Sequence, residues 1–138
     1  MVVENFVTWS FAIALVAIIG GGAMFWAYRG RGSVKLVFNV PVPAKVEPKD
    51  EASTYFKQGC DAFAQGKYYK AQGFLSKAIA RLPDFAEAHH NLGLTEANLR
   101  QDNKAVASLI KASELYGDRM DGERIALVKE HLAQMRDR

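Results

Sequence analysis

Offset against itself by 34 residues, the sequence matches at Ala52/Ala86, Gly59/Gly93, Lys70/Lys104, Ala71/Ala105, Leu75/Leu109, Lys77/Lys111, Ala78/Ala112 and Asp84/Asp118. A fixed period of this kind restricts the region to stacked copies of one small unit, each burying its apolar face against the next. In each copy a first apolar-periodic stretch (Tyr55, Phe56, Gly59, Ala62, Phe63; then Leu92, Gly93, Leu94, Ala97) runs to a polar break. The break is Gln65-Gly66-Lys67 in one copy and Arg100-Gln101-Asp102-Asn103 in the other. A second periodic stretch follows each break, and Pro83 closes the first unit. Asp84, with Glu87 three residues on, reads as a capping box for the next helix. Residues 121–136 place Ile125, Val128, Leu132 and Met135 on one helical face and read as a capping helix. The pattern predicts an all-α domain over residues 52–138, built of two helix-turn-helix units and a C-terminal cap.

The charges divide the chain again. Of 18 basic and 15 acidic residues, only Glu4 precedes Arg29. Residues 6–28 carry no charge, and as a helix they would extend roughly 35 Å, enough to cross a hydrocarbon core of about 30 Å. Residues 1–28 therefore read as a transmembrane anchor, with Trp9 and Trp26 at headgroup level. An acidic start and a long apolar stretch argue against a cleaved signal peptide. Arg29, Arg31 and Lys35 follow the span and no Lys or Arg precedes it, which predicts a cytoplasmic C-terminal domain with the N-terminus on the opposite side. Small residues four apart, Ala17/Gly21 among them, fit either a helix partner in the membrane or ordinary span composition.

Residues 29–51 hold three of the four prolines, at 41, 43 and 48, and read as an extended linker. Residues 34–40 (VKLVFNV) have the β-branched, partly alternating character of a strand in need of a partner. The pattern fits both a strand added to a partner's sheet and an apolar tether lying along the membrane surface.

The first unit resembles the tetratricopeptide repeat family through Tyr55, Gly59, Gly66, Tyr68, Ala71, Leu75, Ala78 and Pro83. The second keeps Leu92, Gly93, Ala105, Leu109 and Ala112, and departs at Arg100, Asp102 and Gly117, where the family has a turn glycine, an aromatic and a closing proline. The resemblance implies protein binding on a concave groove. Its groove-facing positions fall on Phe56, Lys57, Cys60 and Phe63, then on His90, Asn91, Leu94 and Asn98, with Arg124 and His131 added by the cap. It further implies an apolar helix or extended segment as ligand, whose backbone Asn91 and Asn98 would hydrogen-bond. The same aromatics would alternatively be covered by the cap helix or the linker.

The near-balanced charge of +3 does not announce a nucleic-acid binder, and no nucleophile elbow, phosphate loop or metal-ligand spacing occurs. A single cysteine, Cys60, excludes an internal disulfide. The expectation is a non-enzymatic chain with no cofactor, no metal and no small-molecule substrate. It would be a single-pass membrane adaptor or assembly factor whose partners are proteins, in the first place subunits of a membrane complex. The architecture is similar to that of single-span tetratricopeptide proteins that assist photosystem assembly, where the domain would face the stroma. A permanent small subunit of a membrane complex and a precursor-import-type receptor are the alternatives.

Overall fold

In the computed structural model, which describes residues 37–45 and 50–138, the first helix starts where Asp50 accepts hydrogen bonds from the Ala52 and Ser53 amides at 3.0 and 3.4 Å. Such a side-chain cap satisfies amides that have no partner inside the helix. Five helices follow in order: α1 (Glu51–Ala64), α2 (Tyr68–Arg81), α3 (Ala86–Asn98), α4 (Asp102–Asp118) and α5 (Gly122–Arg136). The described residues contain no strand. The predicted anchor, with Trp9, Gly21, Trp26, Arg29 and Arg31, lies outside the described residues. Among the described residues, no helix is long and apolar enough to cross a membrane.

Three-residue turns fold α1 onto α2 and α3 onto α4, α2 packs against α3, and α5 closes the array on α4. The period is visible in the packing. A Cβ added to Gly59 would sit 2.7 Å from Leu75 Cγ, and one added to Gly93 would sit 2.7 Å from Leu109 Cγ. Each glycine therefore admits the leucine of the following helix at a distance that no other residue permits. Ala71, Ala78, Ala105 and Ala112 are fully buried on the facing sides of α2 and α4. Small side chains at these points let the helix axes approach while the leucines fill the space between them.

The two units differ where their sequences differ. Gly66 ends the first helix pair's turn with φ +70°, and Arg100, 34 residues on, takes φ +62° in the same role. A non-glycine residue there holds its Cβ against the following carbonyl. Pro83 follows shortly after α2 ends at Arg81, whereas α4, with Gly117 in place of a proline, continues to Asp118 and stops beside Met120 at φ +53°. The expected Asp84/Glu87 capping box does not form. Phe85 holds the N-cap position of α3 without a side-chain cap bond. Glu87 turns inward, 2% exposed, to meet Arg119 at 3.3 Å, and Arg119 also donates to the Asp84 carbonyl at 2.9 Å. Asp121 does cap α5, accepting from the Arg124 amide.

Gly93→Ala should lower stability by about 1–3 kcal/mol, the usual cost of overpacking. Gly73→Ala, at a helical position with open space around it, should be neutral or raise stability by roughly 0.5–1 kcal/mol. Thermal melts of the two variants separate close approach from helix propensity. Arg100→Gly should raise the melting temperature, because relief of the left-handed strain, about 1–2 kcal/mol, exceeds the added chain entropy.

Candidate functional site

α3 is the central helix, and eleven of its thirteen residues are buried, many of them polar. On one side of it, two turns apart, stand Asn91 and Asn98. Both side chains bond the backbone of residues 37–42. The Val42 N–H donates to Asn91 Oδ1 at 2.7 Å, and the Val42 carbonyl accepts from Asn91 Nδ2 at 2.9 Å. The Phe38 N–H donates to Asn98 Oδ1 at 3.1 Å, joined by the Val37 N–H at 3.2 Å, and the Phe38 carbonyl accepts from Asn98 Nδ2 at 2.7 Å. A side-chain amide presents the same donor and acceptor as a peptide group, so each asparagine stands in for a residue of an adjacent strand.

The spacing explains why this pairing works. Seven residues of helix rise about 10.5 Å and four residues of fully extended chain cover about 13 Å, so a segment bent at Val40 spans the two amides. Phe38 pairs with the later asparagine and Val42 with the earlier one, so the segment runs antiparallel to α3. Pro41 and Pro43 lie next to the bonded positions, where no N–H is required of them, and they hold the chain extended. The strand expected over 34–40 is thus absent from the described part, 37–40, because α3 side chains satisfy this backbone in place of a second strand.

The segment is held at its sides and end as well. Phe38 and Val42 are each 5% exposed. The Phe38 ring meets His131 edge to face at 4.8 Å. Arg124, buried on α5, donates from Nη2 to the Pro43 carbonyl at 2.9 Å. Lys45 closes the contact with an ion pair to Asp121 at 2.8 Å and to Glu123 at 3.3 Å. The pair with Asp121 raises the Lys45 pKa and lowers that of Asp121.

The remaining groove candidates divide between wall and core. Phe56 stacks on Phe85 at 4.7 Å and borders a hollow of about 260 Å³ together with Lys57, Cys60, Pro41, Val42 and Pro43. Lys57 is exposed at its rim. Cys60 accepts a hydrogen bond from Asn91 Nδ2 at 3.4 Å, and burial pushes its pKa up to about 11. The thiol stays protonated at neutral pH and is a poor nucleophile. Phe63, packed edge to face on Tyr68, and Leu94 belong to the core.

His90 is fully buried and does not line the groove. Its Nδ1 lies 3.3 Å from the Tyr116 hydroxyl and its Nε2 lies 2.9 Å from His131 Nδ1. Burial, with the neighbouring His131 and Arg124, lowers the His90 pKa to about 3, and burial lowers that of His131. Both rings are neutral at pH 7, one donating to the other. Sequence reasoning missed Phe85, Tyr116 and the Lys45–Asp121 pair. It also left open what fills the groove, although the prolines between Phe38 and Lys45 signalled an extended chain. Among the described residues, no group of three His, Cys, Asp or Glu residues is placed to hold a metal ion.

Comparison with known proteins gives no likeness to argue from: no family model, no curated protein and no solved structure matches the chain.

The histidine pair predicts the direction of pH dependence. The folded pKa of His90 lies below its unfolded value of 6.5, so its contribution is complete above pH 6.5 and is lost as pH falls toward 3. Stability should decline below pH 6.5 with a slope of up to about 1.4 kcal/mol per pH unit from this ring. Melts at pH 7 and pH 5 should show the drop, and His90→Gln should flatten it.

Proposed function

We propose that this chain is a membrane-tethered, non-enzymatic interaction module of tetratricopeptide type. Its anchor is residues 6–28, its helical domain faces the cytoplasm or stroma, and it acts as an adaptor or assembly factor at a membrane complex. One observation carries the binding part of this reading: Asn91 and Asn98 grip an extended backbone by donor and acceptor at once. Recognition of this kind reads the main chain and leaves selectivity to flanking pockets. The 34-residue period and the paired Gly59/Leu75 and Gly93/Leu109 contacts support the repeat assignment. The uncharged run before Arg29 and Arg31 supports the anchor and its orientation. Tethering raises the effective concentration of membrane-bound partners, so modest groove affinity suffices.

The groove's occupation by residues 37–45 favours a second reading, in which the segment is a permanent strap and the chain a resident subunit of its complex. A pull-down of tagged full-length protein in mild detergent, wild type against Asn91→Ala/Asn98→Ala, separates the two. An adaptor should retain a membrane-complex protein that the variant releases while still melting cooperatively. Retention at fixed stoichiometry by both chains, resistant to salt, would establish the subunit reading in its place.

A further inference from the structure

We infer that residues 37–45 act as an intramolecular stand-in for the partner, so that the groove is blocked until a segment of the same chemistry displaces them. The inference rests on the groove reading above. It adds both the kind of ligand and the reason why the groove is closed in the free chain.

The seated segment defines the ligand. An aromatic side chain fills the site of Phe38 beside His131, a β-branched aliphatic residue four positions on fills that of Val42, and a cation three further on meets Asp121 and Glu123. Between them the backbone is non-helical and bends at Val40. Proline is tolerated at positions 41 and 43, and the carbonyl at position 43 must accept from Arg124. Asn39 and Val40, the latter 75% exposed, are unconstrained, whereas Pro41 and Ala44 are half-buried and Ala44 packs on the core. A partner segment of pattern aromatic, three residues, Val or Ile, two residues, Lys or Arg therefore fits every clamp that holds residues 37–45.

The attachment also has the character of an exchangeable ligand. It consists of backbone hydrogen bonds to two amides, two buried apolar side chains with Val37 and Ala44 partly buried beside them, one arginine contact and two ion pairs of Lys45. Each is modest by itself, and no helix of the array is built from the segment, although Phe38 and Val42 reach the common core. What keeps it seated is its tether, which presents it at an effective concentration that a free peptide must match.

The test uses purified full-length chain in mild detergent and a fluorescent peptide of residues 37–45 (VFNVPVPAK). In Phe38→Asp/Val42→Asp, two carboxylates must enter apolar seats, which expels the segment and opens the groove. The peptide should bind this variant saturably, and about tenfold more weakly to wild type, where the tethered copy competes at about millimolar effective concentration. Adding Asn91→Ala/Asn98→Ala to the open variant should abolish binding, as should Phe38→Asp in the peptide. Absence of binding to the open, helical variant overturns the inference. So does equal binding to wild type and variant.

If the variant does not fold, wild type decides: excess peptide should speed hydrogen exchange at the Phe38 and Val42 amides, and unchanged protection overturns the proposal. Mixing wild type with the open variant tests a second copy as occupant. Formation of an asparagine-dependent mixed dimer would assign the groove to exchange between copies and overturn the partner reading. The two levels remain distinguishable. Peptide binding without retention of any membrane-complex protein would sink the adaptor function alone, and asparagine-dependent retention without peptide exchange would sink only this inference.

Discussion

Two asparagine side chains, seven residues apart on a buried helix, supply the polar partners for an extended stretch of the chain's own backbone. The other features of the site follow from that pairing. A backbone segment entering an apolar groove brings N–H and C=O groups that are costly to bury unbonded. Asn91 and Asn98 remove the cost at Val42 and Phe38, which allows both side chains to be buried and brings Phe38 against His131. Arg124 and Lys45 then fix the far end. Without the amides, the same apolar residues would have no reason to lie in this register.

The requirement for polar partners extends through α3. His90, Glu87 and Glu96 are buried on the same helix, and each is answered from a neighbour: Tyr116 and His131 for the imidazole, Arg119 for Glu87, and Ser108 for Glu96 at 2.7 Å. Among the described residues, no buried side-chain nitrogen or oxygen lacks a bond. α3 therefore joins α4, α5 and the extended segment by buried polar contacts, while α1 and α2 are joined by apolar packing, the Phe63–Tyr68 ring contact and a surface ion pair of Arg81 with Glu51 at 3.0 Å. Such networks fix one geometry more firmly than apolar packing alone.

This division explains what could be read in advance. The helices, their turns and the close-approach glycines were legible because apolar periodicity and a fixed repeat carry them. The two amides on one helix face were indicated only by the family resemblance. The inward turn of Glu87 was not legible, because its partner Arg119 is 32 residues away and a local capping pattern fitted the same residues. His90 was placed in the groove by position within the repeat. Only the tertiary placement of Tyr116 and His131 reveals that a buried imidazole is satisfied there. The strand-like character of residues 37–40 did not yield a strand, because sequence alone does not show that a helix supplies the partners of this backbone.

The order in which the chain is made gives the segment's long-range bonds a further meaning. Phe38 leaves the ribosome 60 residues before Asn98, and Pro43 leaves 81 residues before Arg124. At about 5–20 residues per second, the Arg124 clamp follows its ligand by roughly 4–16 s, and His131 follows later still. During that interval a short, apolar, extended stretch exists with no groove to enter, and the groove, once α3 forms, is complete on one side only. Whatever meets the nascent chain first, its own later helices or another polypeptide, has that interval in which to bind before the ring of contacts closes.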